Sequence, residues 1–113
     1  MLVLPAVTLI GKETSVTLAP VDLAAFQQQM ADTYGSRDRE RGVPATVAWL
    51  VEELGELSQA VRKGSPGDQL HELGDVLAWL ASLAEQLGLS LDEAAARYAN
   101  GCPQCGGSPC TCP

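Results

Sequence analysis

Two short acidic segments, Glu52-Glu53-Leu54-Gly55-Glu56 and Glu72-Leu73-Gly74-Asp75, narrow the folds open to this chain. Each sets two acids three residues apart around a Leu-Gly pair. In a helix, residues at that spacing lie on nearly the same side. Two helices packed along these segments would gather Glu53, Glu56, Glu72 and Asp75 in one place. Four like charges repel unless a cation sits among them, and an all-oxygen donor set suits Mg²⁺ or Mn²⁺. Solvated acids on two amphipathic helices are the plain alternative. Against it, the two segments share one form, and Gly55 and Gly74 each cost a helix interior about 1 kcal/mol relative to alanine. Such glycines mark close approach of two helices, so both are expected as contact points.

The flanking sequence supplies the helices. Pro20 suits a first turn, and Leu23, Phe26, Met30 and Tyr34 form a helical stripe that Gly35 would stop, giving a helix over 20–34. Residues 36–42 carry three arginines and read as a charged loop whose Arg37 and Arg41 are candidates to reach a phosphate. Pro44 opens a second helix, 44–63, with Val47, Leu50, Leu54, Leu57 and Val61 as its apolar stripe. At 100° per residue, Glu53 and Glu56 fall beside that stripe, along with Trp49 and Ala60. Asp68 is the expected cap of a third helix, 68–87, which is apolar nearly all round and should be buried on two sides. Leu70, Leu73, Leu77, Leu80, Ala84 and Leu87 line one face, and Glu72, Asp75 and Trp79 another. Ser90 and Glu93 make a capping box for a fourth helix, 91–99, stopped at Asn100-Gly101. Residues 1–19 read as an extended or disordered segment, and residues 101–113 have no periodicity.

Composition sets the limits. The 113 residues make one domain with a tail, 46 % hydrophobic but only 4 % aromatic, so Leu, Val and Ala must fill the core. A small helical domain of this kind gains burial by oligomerising. A net charge of −7 argues against a nucleic-acid polymer as partner, and no stretch is long enough to span a membrane. The apolar start is broken by Pro5 and lacks a basic lead, so it reads as no signal peptide, and a reducing cytoplasm is the expected location.

Glu52-Glu53-x-x-Glu56, fifteen residues, then Glu72-x-x-Asp75 resembles the signature of the MazG-like nucleoside triphosphate pyrophosphohydrolases, in the all-α NTP pyrophosphatase superfamily. The likeness runs from about Leu18 to Asn100 and includes the Arg-Asp-x-x-Arg-Gly run. It implies an all-α, four-helix bundle over 20–100 that dimerises or forms tetramers. It also implies Mg²⁺-dependent cleavage of NTP or dNTP to the monophosphate and pyrophosphate, as nucleotide-pool house-cleaning. Glu53, Glu56, Glu72 and Asp75 would then be the magnesium ligands, with Glu52, about 100° away, the acid that activates water. Members with Lys-x-x-x-Asn after the fourth helix match here at Asn100, but the lysine position is Ala96 and Arg97 is one residue on. Arg37, Arg41, Lys63 and Arg97 are candidates for the phosphates. Trp49, a turn before Glu53, and Trp79, a turn after Asp75, are candidates to stack on a base or to pack the core. A phosphoribosyl-ATP pyrophosphohydrolase and a non-catalytic helical interaction module remain as other readings.

All four cysteines, Cys102, Cys105, Cys110 and Cys112, fall in the last twelve residues. The C-x-x-C half with its Gly and Pro turns resembles a zinc knuckle, and four thiolates make a closed structural Zn²⁺ site. Disulfides such as 102–110 or 105–112 are the alternative.

Overall fold

The structure is a computed structural model, and it describes residues 21–113. The extended segment expected over 1–19 and the helix start expected at Pro20 lie outside the described residues. The chain is all-helical there: α1 Leu23–Arg41, α2 Val43–Lys63, α3 Pro66–Leu87 and α4 Leu91–Ala96. These make the expected four-helix bundle, followed by the cysteine-rich tail.

Asp22 starts α1, its Oδ1 accepting from the N–H of Ala25 at 2.7 Å. The helix does not stop at Gly35, which is buried inside it, and the expected charged loop is its last two turns. Arginine and glutamate are good helix formers, Arg39 and Arg41 complement the C-terminal end of the dipole, and Arg41 pairs with Asp38 one turn back. The stop is Gly42, at φ 85° and ψ 167°, a conformation essentially restricted to glycine. One residue thus turns α1 into α2.

Ser65, not Asp68, caps α3, which begins two residues earlier than expected, at Pro66. Asp68 is the other half of a capping box: its N–H donates to Ser65 Oγ at 3.1 Å, and its Oδ2 accepts from the Ser65 N–H at 2.9 Å. Hydrogen bonding from Ser65, its backbone N–H first and then its side chain, holds the Asp68 carboxyl below its usual range. Gly88 ends α3 in the left-handed region, at φ 67°. Ser90 Oγ then accepts from the N–H of Glu93 to cap α4. That helix is shorter than the expected 91–99, because after Ala96 the chain tightens into i→i+3 bonds at Tyr98, Ala99 and Gly101.

α3 is the common neighbour of α1 and α2, but it is not buried on two sides. The arc facing its neighbours is built on small residues, Ala81, Ser82 and Ala84, while Leu70, Leu73, Leu77, Leu80 and Leu87 are exposed. The stripe expected on α2 divides likewise. Thr46, Leu50, Glu53, Leu57 and Ala60 form its inner line, and Val47, Val51, Leu54 and Val61 are exposed. Both helices are therefore apolar on two arcs, and periodicity alone does not say which arc the chain buries against itself. Gly55 and Gly74 are not contact points within the chain: both are exposed, with nothing within 4 Å of where a Cβ would stand.

Buried polar side chains pin the helix ends. Gln27 of α1 donates from Nε2 to Glu85 Oε1 and to the Leu89 carbonyl, both at 2.8 Å, and its Oε1 accepts the Leu91 N–H. Gln86 of α3 donates to Thr46 Oγ1 at 2.7 Å, tying the start of α2 to the end of α3. These bonds set the register of helices that share few large buried side chains.

Candidate active site

The inner line of α2 carries Glu53, with Glu56 one turn on, and the facing arc of α3 carries Glu72 and Asp75. Glu53, Glu56 and Glu72 each bring a carboxylate oxygen within 4.8 Å of the others. Asp75 joins at the Glu72 side, in a second group with His71. His71 is exposed and sits 3.4 Å, Nε2 to Oδ2, from Asp75. Burial first, then repulsion from Glu56, Asp75 and Glu72, pushes the Glu53 carboxyl up to about 7. Burial, then the charges of Glu56 and Asp75, also raises Glu72, with His71 opposing.

Glu53 Oε2 and Glu72 Oε2 are buried with no hydrogen-bond partner. No lysine or arginine is ion-paired with either carboxylate among the described residues. Orphaned carboxylate oxygens in a half-buried, like-charged group are donors that a cation would satisfy. The donor set is all oxygen, which fits Mg²⁺ or Mn²⁺.

A hollow opens on either side of the acids. One, of about 270 Å³, is walled by Tyr34, Arg37, Asp38 and Arg41 of α1 and by Asp75, Trp79 and Ser82 of α3. There the Arg41 guanidinium lies over the Trp79 ring, 4.6 Å from its centroid, and Trp49 stacks on Trp79 at 5.8 Å with an interplanar angle of 10°. Arg41 is held by a 2.7 Å bond from Nη1 to Asp38 Oδ1. Asp38 is 97 % buried, and its Oδ2 has no partner. The other hollow, of about 470 Å³, has Lys63 on its wall together with Glu56, Glu72 and Asp68. Carboxylates therefore stand between an aromatic, arginine-bearing recess and a second recess with a lysine.

The model of the MazG nucleotide pyrophosphohydrolase domain family matches residues 41–103, more than half of the chain. The chain belongs to the MazG nucleotide pyrophosphohydrolase family. No curated protein matches it. The MazG span begins at Arg41 and takes in both acidic segments, Trp49, Lys63 and Trp79. Tyr34, Arg37 and Asp38, which complete the first recess, lie before it. Asp38 and Tyr34 were not read as site residues from the sequence. The Asp-x-x-Arg spacing at Asp38 and Arg41 was the available signal, and in a helix it sets the two side chains one turn apart.

Three other candidates of the MazG reading stand apart from the acids. Glu52 is exposed on α2 and is not among the clustered carboxylates. Arg97 folds back on its neighbour, with Nη1 donating to Tyr98 Oη at 3.3 Å and its guanidinium over that ring. Asn100 is exposed in the turn after α4, a helix that packs on α1.

In the tail, Cys102, Cys105, Cys110 and Cys112 bring all four sulfurs within 4.8 Å of one another. The Thr111 N–H, then the Thr111 side chain and the Gly107 N–H, hold the Cys105 thiol down at about 5. Cys112 is pushed up to about 11 by Cys110, Cys102 and Cys105.

Proposed function

We propose that this MazG-family chain is a Mg²⁺-dependent nucleoside triphosphate pyrophosphohydrolase, cleaving NTP or dNTP to the monophosphate and pyrophosphate and so clearing the nucleotide pool. The observation that carries the reading is the acid group itself, with its orphaned buried oxygens set between two recesses of complementary chemistry. Glu53, Glu56, Glu72 and Asp75 would hold Mg²⁺, or Mn²⁺ in its place. Bound there, the ion would supply charge neutralisation for the triphosphate and polarise the reacting phosphorus. Glu52, outside the group, is free to take the proton of the attacking water. The recess of Arg37, Arg41 and Trp79, with Trp49 stacked on Trp79, suits the nucleoside end, since planar rings and guanidinium stack on a base. Lys63, in the opposite recess, offsets the charge of the leaving pyrophosphate. Arg97 and Asn100 would need α4 to move to reach a phosphate.

The exposed leucines of α3 and valines of α2 support a homodimer or homotetramer as the working form. No helix among the described residues is long and apolar enough to cross a membrane. Four clustered thiols fit a reducing, cytoplasmic setting.

The test is release of monophosphate and pyrophosphate from a panel of ribo- and deoxyribonucleoside triphosphates, with phosphoribosyl-ATP included, in Mg²⁺. Turnover of one or more triphosphates is expected, with Glu56→Ala losing both activity and Mg²⁺ binding. Absence of turnover across the panel in Mg²⁺ and Mn²⁺, with metal binding unchanged in Glu56→Ala, overturns the reading. Turnover of phosphoribosyl-ATP alone replaces it with the histidine-pathway activity.

A further inference from the structure

The tail holds a second donor set, chemically unlike the acid group and carried on a separate stretch of chain. Cys102 Sγ and Cys112 Sγ are 3.6 Å apart, and Cys105 Sγ and Cys110 Sγ 3.9 Å. Four sulfurs at the corners of a tetrahedron around one zinc ion, each about 2.3 Å from it, stand about 3.8 Å from one another. A disulfide instead requires about 2.05 Å, and it divides four cysteines into two pairs. Here every sulfur is near the other three. That spacing suits one centre shared by all four.

The surrounding backbone is built for thiolates. The N–H groups of Gly107 and Thr111 point at Cys105 Sγ, at 3.4 and 3.3 Å, and the Cys112 N–H points at Cys110 Sγ at 3.4 Å. Such donors orient metal-bound sulfurs and offset their charge. The loop is closed by Gly106 N–H to the Cys102 carbonyl at 2.7 Å and Cys102 N–H to the Gly107 carbonyl at 2.9 Å. Two glycines make that closure possible. A Cβ on Gly101, at φ 98°, would stand 2.8 Å from the Gly107 carbonyl oxygen, and one on Gly107 would stand 2.7 Å from that of Pro109. The glycines thus serve a fold whose centre is the sulfur cluster, since the segment has no apolar core of its own.

We infer that Cys102, Cys105, Cys110 and Cys112 together bind one Zn²⁺, as a closed structural clasp on the chain end. Four thiolates fill a tetrahedral shell and leave no open position, so the clasp takes no part in hydrolysis. The ion is chosen by softness and geometry: tetrahedral sulfur donors select zinc, whereas the carboxylates of α2 and α3 select a hard ion. The inference stands apart from the pyrophosphohydrolase reading, and either can fail alone.

The experiment uses the full chain purified under reducing conditions. Elemental analysis should find about one zinc per chain. Cobalt offered in its place should give the intense visible bands of a tetrahedral thiolate complex. Cys105→Ser and Cys110→Ser should each lose the zinc and the cobalt bands while keeping the helical circular dichroism of the parent. Glu56→Gln should keep both. Zinc retained in the cysteine variants but lost in Glu56→Gln would place the ion among the carboxylates and overturn the inference. A reduced chain that holds no zinc and gives no tetrahedral cobalt spectrum overturns it too.

Discussion

Asp38 has one carboxylate oxygen on Arg41 and the other on nothing, at 97 % burial. An unmet buried acceptor of this kind costs about 1–3 kcal/mol, a cost that a role at the site would offset. The role nearest at hand is to fix the guanidinium of Arg41 over the Trp79 ring, on the wall of the first recess. Asp38→Asn removes the charge that holds Arg41 but keeps the shape. Under the pyrophosphohydrolase reading, KM for the nucleotide should rise about tenfold, or about 1.4 kcal/mol of lost binding, with kcat little changed. Steady-state kinetics on the best substrate of the panel checks this, and an equal fall in kcat would assign Asp38 to the chemical step instead. Glu53 gives a prediction that needs no substrate. Its carboxyl, raised to about 7 in the folded chain from an ordinary 4.5, binds a proton more tightly folded than unfolded. The native state therefore holds more protons between those values, and stability falls as pH rises through that window. In EDTA, melting at pH 8 should come at a lower temperature than at pH 5, Mg²⁺ should recover most of the difference at pH 8, and Glu53→Gln should flatten the profile. A metal-free profile that rises over the same window would contradict the burial and repulsion assigned to Glu53.

At the scale of elements, the corner between α1 and α2 decides whether Arg41 reaches the site. Gly42 alone makes that corner, in a backbone region that other residues enter at a cost of about 1–3 kcal/mol. Gly42→Ala should destabilise the chain by that amount in urea denaturation and raise KM as well, because Arg41 is the adjacent residue. Loss of stability without any change in KM would separate the corner from the recess. The same corner marks where the sequence could be read and where it could not. The apolar stripes and Pro44 placed α2 and most of α3, because apolar period and proline act locally. The run 36–41 misled because charge was taken for a loop, although Arg and Glu favour helix and the true stop, Gly42, stood one residue after Arg41. The cap of α3 was misassigned for a similar reason: Asp68 caps well in general, but Ser65 three residues earlier let both serve in one capping box. Gln27, Thr46 and Gln86 carried no periodic signal, since their bonds depend on helices brought together from distant parts of the chain.

For the whole molecule, the open question is what covers the second apolar arcs of α2 and α3. Val51, Leu54, Val61, Leu70 and Leu73 are each more than half exposed, and Leu77 and Leu80 stand beside them. Gly55 and Gly74 lie on these same arcs, with open space where a Cβ would be. The sequence led to glycines as contact points between α2 and α3, whereas the chain pairs those helices along the other arc. If the glycines have a contact role, it is toward a second copy, consistent with the proposed homo-oligomer. Leu73→Lys separates the cases. On a surface that stays in water, such a change alters stability by no more than about 0.5 kcal/mol and leaves the mass in solution unchanged. Across an apolar interface it buries an unpaired charge, which is far more costly. Light scattering should find the parent at a multiple of its 11.9 kDa chain mass, and Leu73→Lys should fall to the monomer with its helical circular dichroism retained. Nucleotide turnover by that monomer then tells whether each subunit carries a whole site. The acids and both recesses are formed within one chain, so per-chain kcat should survive dissociation while stability falls. A parent that is already monomeric at working concentrations would sink the oligomer and leave these leucines to water.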